Sequence, residues 1–190
     1  MTKILSLLGS DHDLAKAIKQ GDNKALNTFY DKYAGKMLAI CKRYLSDGMI
    51  AEDVMMEGLT KVITKIDKFS FNGSFEGWVK RIIVNEALMK IRSQKNNEVD
   101  IENVAYALPV ANQGDHLEAE DLHKMVASLP DGYRTVFNMY AIEGYGHKEI
   151  AEKLGISEGT SKSQLSRARA MLQNMLQEIE HSDNKQIKRK

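Results

Sequence analysis

From Leu26 onward, Phe29, Tyr33, Met37, Ile40 and Tyr44 recur at steps of three or four, the spacing that lines one face of an α-helix. This predicts one amphipathic helix over 24–45, ended by Ser46-Asp47-Gly48. A second helix is predicted over 50–67, with Met55, Leu59, Val62 and Ile66 inside and Asp53, Glu57, Thr60 and Thr64 outside. After "KFSFNGSF", Ser74 can cap a third helix running through Trp78, Ile82 and Met89 to about Ser93. Glu76 falls in its first turn, where the positive end of the helix dipole favours an acid. Three packed helices account for residues 1–95.

Periodicity then lapses. Residues 96–118 contain Pro109, Gly114 and adjacent Asn residues, and read as a linker. A second domain is predicted over 119–175, starting with a helix around Leu122 to Ser128 that stops at "LPDG". The next helix, Tyr133 to Ile142, is expected to turn Val136, Phe137, Tyr140 and Ala141 inward. Residues 176–190 form a polar, basic tail.

Between these lies "GYGHKEIAEKLGISEGTSKSQLSRARAML". A helix over His147 to Leu154 carries Ile150, Ala151 and Leu154 on one side, and Gly155 suits the left-handed residue that ends a helix. A further helix starts at Ser157, with Ser161, Leu165, Ala168 and Leu172 at steps of four, three and four as its buried stripe. Opposite that stripe stand Gly159, Ser163, Ser166, Arg167 and Ala170, with Lys162 and Arg169 on one shoulder and Thr160 on the other. Small residues let a helix enter a groove, while hydroxyl and guanidinium groups contact phosphates and base edges. The pattern is a helix-turn-helix shaped for the DNA major groove, and the competing reading is a surface hairpin with a solvated charged face.

Composition agrees with an all-α chain: 190 residues, two prolines, ten methionines at mostly helical spacing and 43% hydrophobic content suit two small helical domains. The single cysteine, Cys41, excludes an internal disulfide framework. The apolar patch near the amino end is too short for a signal peptide or a membrane span, so a cytoplasmic protein without membrane insertion is expected. A net charge of +1 conceals a pattern: segments 1–26, 27–95, 96–123 and 124–190 carry +1, +4, −7 and +3. Two mildly basic segments flank a strongly acidic one, a pattern that a neutral globular enzyme has no need of.

Catalytic readings find little support. "GTSKS" lacks the glycine spacing and leading strand of a phosphate-binding loop. The five histidines are scattered and share no ligand spacing with Cys41, so neither metal nor cofactor is expected. With no paired carboxylates or nucleophile-base set evident from spacing, the chain does not read as an enzyme.

The stretch "LPDGYRTVFNMYAIEGYGHKEIAEKLGISEGTSKSQLSRAR" closely resembles region 4 of the extracytoplasmic-function (ECF) group of sigma-70 family RNA polymerase sigma factors. Upstream, "AEDVMMEGLTKVITKIDKF" resembles region 2.2, and "FNGSFEGWVKRIIVNEALMKIR" resembles regions 2.3 and 2.4. The resemblance implies a region 2 bundle of three to four helices and a four-helix region 4 domain, joined by the acidic linker. It implies promoter-specific transcription initiation, with core RNA polymerase and promoter DNA as partners and an anti-sigma factor as a further one.

By the same resemblance, Asp53, Met56 and Glu57 would meet core polymerase. Phe71 and Asn72, with Asn85, would hold a flipped −10 base, a task that calls for an aromatic platform and polar edges. Lys80, Arg81, Lys90, Arg92 and Lys95 would hold backbone phosphates there, though a solubilising role suits each as well. Thr160, Lys162, Ser163, Ser166 and Arg167 would read the −35 element, with Arg169 on phosphate. The alternative is a free-standing dimeric helix-turn-helix regulator in which residues 1–95 dimerise or sense a signal.

Overall fold

The computed structural model describes residues 10–95 and 119–187. The chain divides into two compact units, Met1–Asn97 and Glu98–Lys190, and every regular element among the described residues is helical. The acidic linker, 96–118, and tail residues 188–190 lie outside the described residues. No described helix is long and apolar enough to cross a membrane.

The first unit contains α1 (Asp11–Lys19), α2 (Asn23–Tyr44), α3 (Gly48–Thr64) and α4 (Phe75–Lys95). Each begins at a side chain that accepts a backbone N–H two or three residues on: Ser10, Asp22, Asp47 and Ser74. The helix expected to reach Asp67 instead stops at Thr64, and a tight 3-10 turn over Ile66–Lys68 tucks Ile66 into the core. The three helices expected become four, because hydrophobic spacing does not disclose α1. Its nine residues bury Leu14, Ala15 and Ile18 and are too few to display a periodic stripe.

Phe29, Tyr33, Met37, Ile40 and Tyr44 of α2 pack with Val54, Met55, Leu59 and Val62 of α3 and Val79, Ile83, Val84 and Leu88 of α4. Helices α3 and α4 approach closely at Gly58, where an added Cβ would collide with Ile83 Cδ1. Lys61 of α3 pairs with the buried Glu86 of α4. Cys41 is fully buried on α2, and burial pushes its thiol up to about 12.

The second unit contains α5 (Ala119–Ala127), α6 (Asp131–Phe137), a π turn over Asn138–Ile142, α7 (His147–Leu154) and α8 (Glu158–Ile187). Arg134 is buried, donating from Nη1 to the carbonyls of Ala127 (2.9 Å) and Leu129 (3.3 Å) and pairing through Nη2 with Asp131 (2.7 Å). It thereby satisfies carbonyls at the end of α5, where a cation is favoured. The inward face expected for the α6 segment is corrected in part. Val136 is buried, but Tyr140 and Ala141 are exposed, and Asn138 and Met139 take the inner positions. The cause is the π turn, in which Glu143 N–H reaches back five residues to Asn138 O (3.0 Å) and so rotates Tyr140 and Ala141 outward. The segment that composition marks as a tail from 176 is helical as far as Ile187.

Candidate nucleic-acid interface

The junction before α8 is built by local chemistry. Gly155 ends α7 with φ 67°, and Ile156 N–H donates back to Ala151 O (3.1 Å), which closes the helix end and turns the chain. Ser157 Oγ accepts from Thr160 N–H (2.9 Å) to start α8. Buried Ser161 shares a 3.0 Å hydrogen bond with His147 Nδ1 and so links α7 to α8. Ser161, Leu165 and Ala168 are buried as expected; Leu172 is only half-buried, and Met175 continues the stripe.

Of the six residues expected to contact −35 DNA, Ser163, Ser166 and Arg167 face away from the buried stripe of α8, and Thr160, Lys162 and Arg169 flank it. Lys162, Ser163, Ser166, Arg167 and Arg169 are exposed and Thr160 is half-buried. Several are held in place by neighbours. Arg167 Nη1 donates to the Tyr133 hydroxyl from α6 (3.2 Å), and the Arg169 guanidinium lies over the Tyr140 ring at 5.5 Å. Tyr140 in turn stacks on His147, with ring centroids 4.7 Å apart. Lys162 pairs with Glu158 at 2.7 Å, and that hydrogen bond and charge hold the Glu158 carboxyl below its usual value. Tyr133 and Tyr140 are not among the expected site residues; their parts depend on contacts 34 and 29 positions away, which no local pattern announces.

In the first unit, the polar loop Ser70–Ser74 rests on a cluster of rings. Phe69 and Phe75 are buried, and Phe69 packs against Phe71 (4.9 Å), Phe75 (5.2 Å) and half-buried Trp78 (5.4 Å). Phe71 is half-buried with φ 60°, a left-handed conformation that costs a residue with a Cβ about 1–2 kcal/mol. Asn72 is exposed, and Gly73 has φ 115°. A residue with no expected role, His12 of α1, reaches this loop and is bonded to Gly73 O (2.9 Å).

Helix α1 is itself tied down. Asp11 pairs with Lys32, and Lys19 with Asp67 at 3.1 Å. Burial acts to raise the Asp11 carboxyl, but the hydrogen bond from Lys32 and the charges of Lys32 and Lys36 outweigh it and hold the carboxyl below its usual value. Burial also raises the Tyr33 hydroxyl, and the neighbouring Asp11 charge adds to the effect.

Along α4, Arg81, Asn85 and Arg92 share one side at helical spacing, with half-buried Lys80 about a third of a turn away. Lys90, nine residues from Arg81, lies about 180° round the helix and is not brought to that side. Lys95 ends the helix. On α3, Asp53, Met56 and Glu57 form one exposed stripe opposite the core, with Met56 47% exposed.

A family model described as sigma-70 region 2 matches residues 29–97, and one described as sigma-70 region 4 matches residues 119–172. The chain is 30% identical over 178 residues to the ECF RNA polymerase sigma factor SigW of Bacillus subtilis, covering 86% of this chain and 95% of that protein. It is 28% identical over 184 residues to the ECF RNA polymerase sigma-E factor of Haemophilus influenzae, covering 90% and 97% respectively. Among solved structures it is similar to the sigma factor RpoE in complex with the anti-sigma factor NepR from Bartonella quintana. That match has a TM-score of 0.50 and 26% identity over 81% of this chain and 98% of the other. With region 2 matched to the unit that carries the ring-backed loop and region 4 to the unit that carries the helix-turn-helix, the chain belongs to the extracytoplasmic-function group of sigma-70 family RNA polymerase sigma factors.

Proposed function

We propose that this sigma factor reads the −35 element with the outer half of α8 and holds an unpaired −10 base at the Ser70–Ser74 loop. As a member of its family it directs transcription initiation with core RNA polymerase at promoter DNA and is not an enzyme. The observation that carries the −35 assignment is the division of α8 into two halves. One buries Ser161, Leu165 and Ala168; the other presents small, hydroxyl and basic side chains from Gly159 to Ala170. Thr160, Lys162, Ser163, Ser166 and Arg167 meet base edges and adjoining phosphates, and Arg169 meets the backbone.

At the −10 element, Phe71 supplies a face for stacking, Asn72 and Asn85 supply edge hydrogen bonds, and Lys80, Arg81 and Arg92 hold phosphates. Lys90 is left out because it lies on the other side of α4. Asp53, Met56 and Glu57 dock on core polymerase: an acidic stripe with an exposed methionine repels DNA and suits a basic protein surface. An anti-sigma partner is supported by the similar RpoE, solved with NepR. The chain would act with the polymerase in the cytoplasm. The dimeric-regulator alternative loses its dimerisation domain, since residues 29–97 match sigma region 2.

Binding of the reconstituted holoenzyme to a panel of −35 variants tests the α8 assignment. Arg167→Ala is expected to lose about 1–3 kcal/mol at particular −35 positions, and Arg169→Ala to weaken every sequence alike. Identical profiles for the two variants would overturn it.

A further inference from the structure

We infer that His12 is a positioning residue for promoter opening: from α1 it fixes the loop conformation in which Phe71 and Asn72 are presented to the unpaired −10 base. The inference rests on the −10 reading of the loop given above. Three contacts carry it. His12 Nε2 donates to the Gly73 carbonyl at 2.9 Å, and the His12 ring meets Phe71 edge-on at 5.9 Å and Phe69 at 5.8 Å. The side chain therefore touches the loop on both sides of Asn72, at residue 71 by packing and at residue 73 by a hydrogen bond, while Asn72 itself remains exposed.

The loop needs such an external hold. Phe71 and Gly73 both have positive φ, at 60° and 115°, and a phenylalanine stays in that region only where its surroundings over-determine it. Phe69 supports the Phe71 ring by packing. The Gly73 peptide is held by His12, from a helix 61 positions away in sequence. That helix is a rigid mount, capped by Ser10, pinned by the Asp11–Lys32 and Lys19–Asp67 pairs, and buried along Leu14, Ala15 and Ile18. His12 thus acts through the loop, and the packing and the hydrogen bond are separable parts of what it does.

Three variants of the full chain, assembled with core polymerase, divide those parts. His12→Phe keeps a ring and removes the donor, His12→Gln keeps a donor at comparable reach and removes the ring, and His12→Ala removes both. Permanganate reactivity of −10 thymines measures opening, with core-polymerase affinity and the melting temperature of the isolated chain measured alongside.

His12→Ala is expected to reduce opening about tenfold, equivalent to about 1.4 kcal/mol, with core affinity unchanged and with partial recovery in His12→Gln and His12→Phe. Wild-type opening in His12→Ala, while Phe71→Ala is impaired, overturns the inference and leaves the −10 reading standing. Opening that merely follows melting temperature across the variants also overturns it, since that is the mark of a structural role. Normal opening in Phe71→Ala overturns the −10 reading and this inference together.

Discussion

The outer face of α8 is assembled from a single run of sequence, 160–169, on a helix whose other half is packed. The Ser70–Ser74 loop depends instead on rings drawn from residues 12, 69, 75 and 78 and on a hydrogen bond from another helix. A helix supplies its own backbone hydrogen bonds, so its outward side chains can change with little effect on the frame that carries them. A loop with two positive φ values has no such internal frame. Its shape is imposed by distant packing, so its conformation is coupled to remote side chains where the frame of α8 is its own.

Removing the hub of the ring cluster tests that coupling most severely. Phe69→Ala takes away a ring that is 4% exposed and touches Phe71, Phe75 and Trp78. The first unit is expected to lose about 3–5 kcal/mol of stability, read as a lowered urea midpoint in the fluorescence of Trp78, the chain's single tryptophan. A loss below about 0.5 kcal/mol, the range of an ordinary surface substitution, would mean that the rings do not hold the loop.

On the other surface, Tyr133→Phe removes only the hydroxyl that accepts from Arg167. Expected is a loss of about 0.5–1.5 kcal/mol, the worth of one hydrogen bond, at the same −35 positions that Arg167→Ala affects and with no change in melting temperature. A uniform loss across the −35 panel would show that Tyr133 does not aim Arg167.

The smallest effect is expected from Glu158→Gln, which releases Lys162 from its intrahelical partner. DNA affinity should rise about twofold, because an exposed i,i+4 pair is a weak competitor, and the salt dependence should steepen slightly as one more cation becomes available to phosphate. Weaker binding in this variant would assign Glu158 a direct part in recognition.

Legibility in the sequence divides along the same line. The α7 end, the Gly155 turn and the Ser157 start are fixed by neighbours within a few residues, the outward direction of the α8 set follows from helical spacing, and the structure reproduces them. The same holds for α3, whose inner stripe of Met55, Leu59 and Val62 is buried as its spacing requires, with Ile66 buried just beyond its end. Helix α1 stays hidden because nine residues with an adjacent Leu14-Ala15 pair make too short a pattern. The inward face assigned to Tyr140 and Ala141 fails because the π turn breaks the 3.6-residue count, and nothing in "NMYAI" advertises it. His12 and Tyr133 act through partners 61 and 34 positions away, so their roles are absent from local spacing.

Cys41 carries a consequence for how this factor can be controlled and observed. A fully enclosed thiol pushed up to about 12 stays protonated at neutral pH and does not react with oxidants while its unit is folded. With no second cysteine in the chain, an oxidative stimulus has no thiol switch to throw within it. The same seclusion makes Cys41 a built-in clock. A thiol-reactive dye would label the chain only when the first unit opens, and the labelling rate would report the frequency of opening with no engineered probe.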